Sequence, residues 1–87
     1  MSYRIEWEQD AKQTLDQLDI PIIQAILKRI NWLSVNLDNI KPKRLTGHLK
    51  GDFRLRAGDY RVIYSVNRKS KILIIRLVGH RSDIYRA

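Results

Sequence analysis

Arg54, Arg56 and Arg61 bracket a Gly58-Asp59 pair, and that spacing is enough to bring them together. A two-residue Gly-Asp loop matches the twist of a β-hairpin. Ala57 then pairs with Tyr60, Arg56 with Arg61, Leu55 with Val62, and Arg54 with Ile63. Because side chains alternate across a sheet, Phe53, Leu55, Ala57, Tyr60, Val62 and Tyr64 share one apolar face, and the three arginines share the other. Like charges set directly opposite on paired strands are destabilising, so stability alone gives no reason for Arg56 to face Arg61. Guanidinium groups gathered in this way suit a phosphate gripped by several donors at once; the plainer alternative is that long arginines splay into water at little cost. His80, Arg81 and Tyr85 come just after the last strand candidate and are expected at the rim of the same face. Histidine and tyrosine are the types here suited to general acid or base work, against the alternatives of a surface histidine and an aromatic plug for the sheet end. Arg76 is either a further member of the basic face or a solvated edge residue.

Other chemistries find no residues. Two histidines, no cysteine and scattered acids do not compose a metal site. Asp52 and Asp59 flank a strand and a turn, with nothing to pair them for two-metal or glycosidase chemistry. Ser65 and Ser82 lack a neighbouring base with an orienting partner, and there is no glycine-rich phosphate loop. A nuclease built from this chain works without metal or other cofactor. It uses RNA's own 2′-hydroxyl as nucleophile, with cations stabilising the crowded phosphorus centre.

The elements that must position these residues can be read from the periodicity. Tyr3 to Trp7 alternates as a half-buried strand. From about Gln9 the period becomes helical, with Ala11, Leu15 and Leu18 on one side, and this helix should end near Asp19-Ile20. Asp19 then caps a second helix that has Pro21 in its first turn. Ile23, Ile26, Leu27, Ile30, Leu33 and Leu37 give it one apolar stripe, and Pro42 closes it. A basic connector from Lys41 to Asp52 leads to strands at 53–57, 60–66 and 72–78. In the last of these, Leu73, Ile75 and Leu77 are expected to face the core, and Ile72, Ile74, Arg76 and Val78 to face away. The predicted fold class is α+β: an N-terminal strand, a helical hairpin, then a three-stranded antiparallel meander with the helices on one face.

The 87 residues make a single domain, 1–87, which buries only about 60% of its unfolded surface and has room for one two-layer core. The longest apolar run, Ile72 to Ile75, is too short for a membrane span or a signal-peptide core, so the mature chain is expected to be the encoded one. The absence of cysteine suits a cytoplasmic setting with no membrane partner. The net charge of +8 is unevenly placed: residues 1–40 carry four bases and six acids, residues 41–87 thirteen bases and three acids. A scaffold half and a working half with a polyanionic partner follow from that split, although dispersed charge that merely keeps the protein in solution is the alternative.

The run Phe53-Arg54-Leu55-Arg56, then Gly58-Asp59-Tyr60-Arg61-Val62-Ile63-Tyr64, then Val78-Gly79-His80-Arg81 and Asp83-Ile84-Tyr85, resembles the RelE toxins of the RelE/ParE superfamily. Leu45-Thr46-Gly47 and Leu49-Lys50-Gly51 are similar to that family's connector, and with the N-terminal strand and helices the resemblance spans nearly the whole chain. It implies a RelE-like fold and a type II toxin that enters the ribosomal A site and cleaves mRNA. Arg54 and Arg56 stand where the namesake toxin usually has lysines, Arg61 and Arg81 match its phosphate-contacting arginines, and Tyr85 matches its C-terminal tyrosine. His80 stands where the namesake has lysine. Arginine holds its proton too tightly to act as a base, so the general base is left open between Tyr85 and His80. The resemblance further implies a RelB-like antitoxin, contact with operator DNA only through that antitoxin, and phosphate contacts to ribosomal RNA from Lys41, Lys43, Arg44 and Lys50.

Two other classes compete with the endonuclease. A ParE-like toxin inhibits gyrase without nuclease chemistry, and the Tyr60-Arg61 strand motif is compatible with it. A silent RNA-binding module shares the charge but not the activity.

Overall fold

The computed structural model describes residues 2–42, 44, 45 and 51–84. The N-terminal alternation becomes β1 (Arg4–Trp7), with Ile5 and Trp7 against the core and Arg4 and Glu6 more exposed. Helix α1 (Gln9–Asp16) buries Ala11 and Leu15. It stops short of the expected Asp19, because the chain turns where the Leu18 N–H bonds the Leu15 carbonyl at 3.0 Å. Helix α2 (Ile20–Asn36) begins after Asp19 with Pro21 in its first turn, where a missing N–H costs no hydrogen bond. Asp19 occupies the N-cap position, but its side chain makes no capping hydrogen bond. Ile26, Ile30 and Leu33 are buried as the stripe requires, while Leu27 lies outside it, 39% exposed. A 3-10 turn, Leu37–Asn39, ends the helical segment and buries Leu37.

Strands β2 (Phe53–Ala57), β3 (Tyr60–Asn67) and β4 (Ile72–His80) form the antiparallel meander. The hairpin register is the one the two-residue loop dictates, with Arg56 opposite Arg61 and Arg54 opposite Ile63. Gly58 takes φ 61° at the first loop position, the signature of a II′ turn. Strand β1 joins this sheet parallel to β4, Arg4 facing Ile72 and Trp7 facing Ile75, so the order is β1-β4-β3-β2. The core lies between α1, α2 and one sheet face, built on Ile26, Ile30, Leu33 and Leu37 against Leu55, Val62, Tyr64, Leu73, Ile75 and Val78. The fold is α+β, helices on one side of a mixed sheet. No helix among the described residues is long and apolar enough to cross a membrane.

One register slip reshapes β4. Ile63 faces Leu77 but Tyr64 faces Ile75, leaving Arg76 as an extra, bulged residue. Leu73 and Ile75 point into the core as expected. Past the bulge the alternation inverts: Val78 is 6% exposed in the core, and Leu77, expected there, is 37% exposed on the outer face.

The end of the sheet far from the Gly58 turn is clamped by a polar cluster. The Tyr3 hydroxyl donates to Asp38 Oδ1 at 2.7 Å, and Lys71 Nζ donates to Oδ2 at 2.8 Å. The Lys71 ammonium also lies 4.9 Å from the centre of the Tyr3 ring. These contacts hold Lys71 at φ 57°, a conformation that costs a non-glycine residue about 1–3 kcal/mol. The hydrogen bond from Lys71, followed by that from Tyr3, keeps the Asp38 carboxyl below its ordinary range, and the same Asp38 contact raises Lys71.

Candidate nucleic-acid interface

The outer face carries Arg54 and Arg56 from β2 and Arg61 from β3, as alternation from the hairpin loop requires. Arg61 does not pair with a carboxylate among the described residues. Its Nη1 donates to the Gly58 carbonyl at 2.8 Å and the Tyr60 carbonyl at 2.9 Å, which fixes the guanidinium beside the turn. Arg81 reaches the same turn from β4: its main-chain N–H donates to the Asp59 carbonyl at 2.8 Å, and its Nε lies 3.6 Å from Asp59 Oδ1. Both partners of that ion pair are exposed, so a phosphate can compete for Arg81. Strand geometry and one tight turn thus bring Arg56, Arg61 and Arg81 to one corner.

The chain after β4 returns over this corner. Asp83 and Ile84 N–H groups both bond the His80 carbonyl, at 2.9 and 3.0 Å, closing a turn. Gly79 lies opposite Arg61, and Ile84 Cδ1 sits 3.1 Å from where a Gly79 Cβ would be. Glycine is what lets the tail pack against the arginine side. Tyr85 follows Ile84 and lies outside the described residues, as do Lys43 and Lys50.

His80 does not join the arginines. It pairs with Tyr60, on the helix side of the sheet, and its ring meets the Tyr60 ring edge-on at 5.4 Å. Its Nδ1 accepts the Ser82 N–H at 3.1 Å and lies 2.8 Å from Ser82 Oγ. The expectation that His80 borders the basic face is therefore corrected, and the cause is the Arg76 bulge: the slip that turned Val78 inward turned His80 with it. Arg76 itself is on the outer face but engaged by two carboxylates, Asp52 Oδ2 at 3.3 Å and Glu8 Oε1 at 3.7 Å. Of the connector residues, Lys41 is exposed, and Arg44 donates to the Gly51 carbonyl at 3.2 Å and lies 5.2 Å from the Phe53 ring centre.

Arg29 is the residue that the sequence reasoning missed. From α2 its Nε donates to the Arg56 carbonyl at 3.1 Å, joining the helix layer to the edge of β2, and its guanidinium lies over the Trp32 ring at 4.7 Å. The i, i+3 spacing of Arg29 and Trp32 is a signal of that contact, but nothing local shows which strand lies beneath.

Residues 5–85 match the family model described as the ParE toxin of type II toxin–antitoxin systems. The chain belongs to the RelE/ParE superfamily of type II toxins. Toxin RelG of Mycobacterium tuberculosis is 29% identical over 87 residues, covering 99% of each chain. Among solved structures, the toxin–antitoxin complex RelBE2 from Mycobacterium tuberculosis contains a chain 27% identical, with a TM-score of 0.80 over 93% of this toxin and 100% of that chain. The archaeal RelE–RelB complex from Pyrococcus horikoshii is 30% identical, with a TM-score of 0.74 over 95% of this chain and 99% of the other. Isolated Escherichia coli RelE, at 20% identity and a TM-score of 0.73, shares the fold.

Proposed function

We propose that this toxin is a ribosome-dependent mRNA endonuclease. The observation that carries it is the corner at Gly58-Asp59, where Arg61 is held on turn carbonyls with Arg56 opposite and Arg81 beside it. A scissile phosphodiester seated there meets guanidiniums from β2, from β3 and from the turn that follows β4. The RNA 2′-oxygen attacks phosphorus, the P–O5′ bond breaks, and the products are a 2′,3′-cyclic phosphate and a 5′-hydroxyl. Arginines stabilise the dianionic transition state, since donors already in place cost no reorganisation when charge develops. Cleavage needs a base for the 2′-hydroxyl proton and an acid for O5′. With the His80 ring on the helix side, Tyr85 is assigned to this proton transfer. Arg54, Lys41, Lys43, Arg44 and Lys50 hold ribosomal RNA and mRNA by their phosphates.

The partner is a RelB-like antitoxin, as in the RelE–RelB complexes that share this fold. Its acidic segment covers the basic face, and contact with operator DNA belongs to the antitoxin. The toxin acts in the cytoplasm. Primer extension on mRNA after induction, or in a translating extract, should show codon-phased cuts; intact mRNA with folded protein would sink the proposal.

The ParE description of the matching family model favours a second reading, inhibition of gyrase without nuclease chemistry. A supercoiling assay with purified gyrase separates the two, because inhibition there belongs to the second alone.

A further inference from the structure

A groove of about 360 Å³ runs along the outer edge of β2, between that strand and α2, next to the point where Arg44 bridges Phe53. Arg29 and Trp32 wall it from the helix, Arg54 and Arg56 from the strand, and Pro42 closes one side. Among the described residues, none that lines it is acidic. Trp32 is 42% exposed although it is among the largest apolar side chains of the fold, and Arg29 stacks on it. The Arg29 Nε bond to the Arg56 carbonyl fixes this platform to the strand whose side chains form the cleavage corner.

We infer that the groove is a base-stacking subsite for single-stranded RNA, taking a nucleotide that flanks the phosphate held at the arginine corner. The inference rests on the nuclease proposal for the identity of the strand. Three chemical features converge on that ligand. The positive charge of Arg29 and Arg56 attracts a polyanion, an exposed indole offers a face to any base, and a stacked guanidinium extends that face. Arg56 is shared by groove and corner, so one strand can run from the one to the other. Base stacking on indole is tolerant of sequence, which suits a toxin that must take whatever codon the ribosome presents.

The test uses an end-labelled 2′-O-methyl oligouridine, which cannot be cut, and an abasic strand with the same number of phosphates. Anisotropy titrations at one salt concentration measure the preference for the base-bearing strand. Wild-type protein should prefer it by about tenfold, the order expected for loss of stacking on one aromatic side chain. Trp32→Leu should remove the preference, and Trp32→Phe, which restores a π face, should retain most of it; thermal melts of all three show that the variants fold. Equal binding of the two strands by wild-type protein overturns the inference. So does a preference that survives in Trp32→Leu, or a Trp32→Leu protein that loses only its affinity for an acidic peptide, which would give the groove to a protein partner. Because these titrations need neither ribosome nor cleavage, the two proposals fail separately. Trp32-dependent base preference in a protein that leaves mRNA intact supports the groove and sinks the nuclease, and codon-phased cutting without that preference does the reverse.

Discussion

Replacing Arg61 with alanine separates a phosphate-binding arginine from a structural one. The substitution removes hydrogen bonds from one shared Nη1 to two carbonyls beside an exposed turn, where water can replace the donor, so each is worth about 0.5 kcal/mol, the low end of the range. It also removes a cation set directly opposite Arg56, relieving a repulsion of about 0.2–1 kcal/mol. The two effects oppose each other. The net change in stability should be within about 1 kcal/mol, which for a domain of this size is a Tm shift of no more than about 4–8 °C. Function should move far more: losing one preset donor to a developing oxyanion costs about 10²–10³ in rate. Binding of an uncleavable RNA should lose one phosphate contact, lowering the slope of log K against log salt by about 0.7. Arg61→Lys provides the control, keeping the salt slope but losing the forked donor geometry, so its cleavage should stay well below wild type. An Arg61→Ala protein that melts normally, cuts mRNA at the wild-type rate and keeps the wild-type salt slope would refute the assignment.

Gly58→Ala should destabilise the protein by roughly 1–3 kcal/mol in chemical denaturation, from backbone strain alone, because φ is 61° and nothing crowds the added carbon. Gly79→Val should push Ile84 off the sheet, since even a single carbon there stands 3.1 Å from Ile84 Cδ1; cleavage should fall while the melting profile stays near wild type. Asp38→Asn should destabilise the protein at neutral pH. The difference from wild type should vanish as pH falls through the lowered Asp38 pKa, because a depressed carboxylate stabilises only above its unfolded value. Wild-type protein should also lose stability as pH rises past about 10, where the unfolded chain releases protons first: burial holds the Tyr64 phenol up at about 12, and Asp38 raises Lys71.

The Gly58-Asp59 loop made the hairpin legible, and with it the face shared by Arg54, Arg56 and Arg61, because two loop residues leave only one register. Both helices and their buried stripes were legible for a similar reason: local periodicity encodes them. The Arg76 bulge was not. Simple alternation along Ile74-Ile75-Arg76-Leu77-Val78 cannot put both Ile75 and Val78 inward, and only their burial in the core reveals the bulge that does. Leu77, Val78 and His80 were all misplaced by it. The parallel pairing of β1 with β4 and the Arg29 contact with Arg56 depend on residues far apart in the chain, so no window along the sequence contains them.

The sheet order has a bearing on when this toxin becomes dangerous. Strand β4 is the last strand to be synthesised, yet it lies between β1 and β3 and is the neighbour both require. Until it has emerged, β1 has no partner and Arg81 cannot reach Asp59, so the nascent polypeptide lacks the assembled arginine corner. Long-range pairing of this kind also folds slowly, which leaves an interval after release in which an inhibitor already present can capture the newborn protein first.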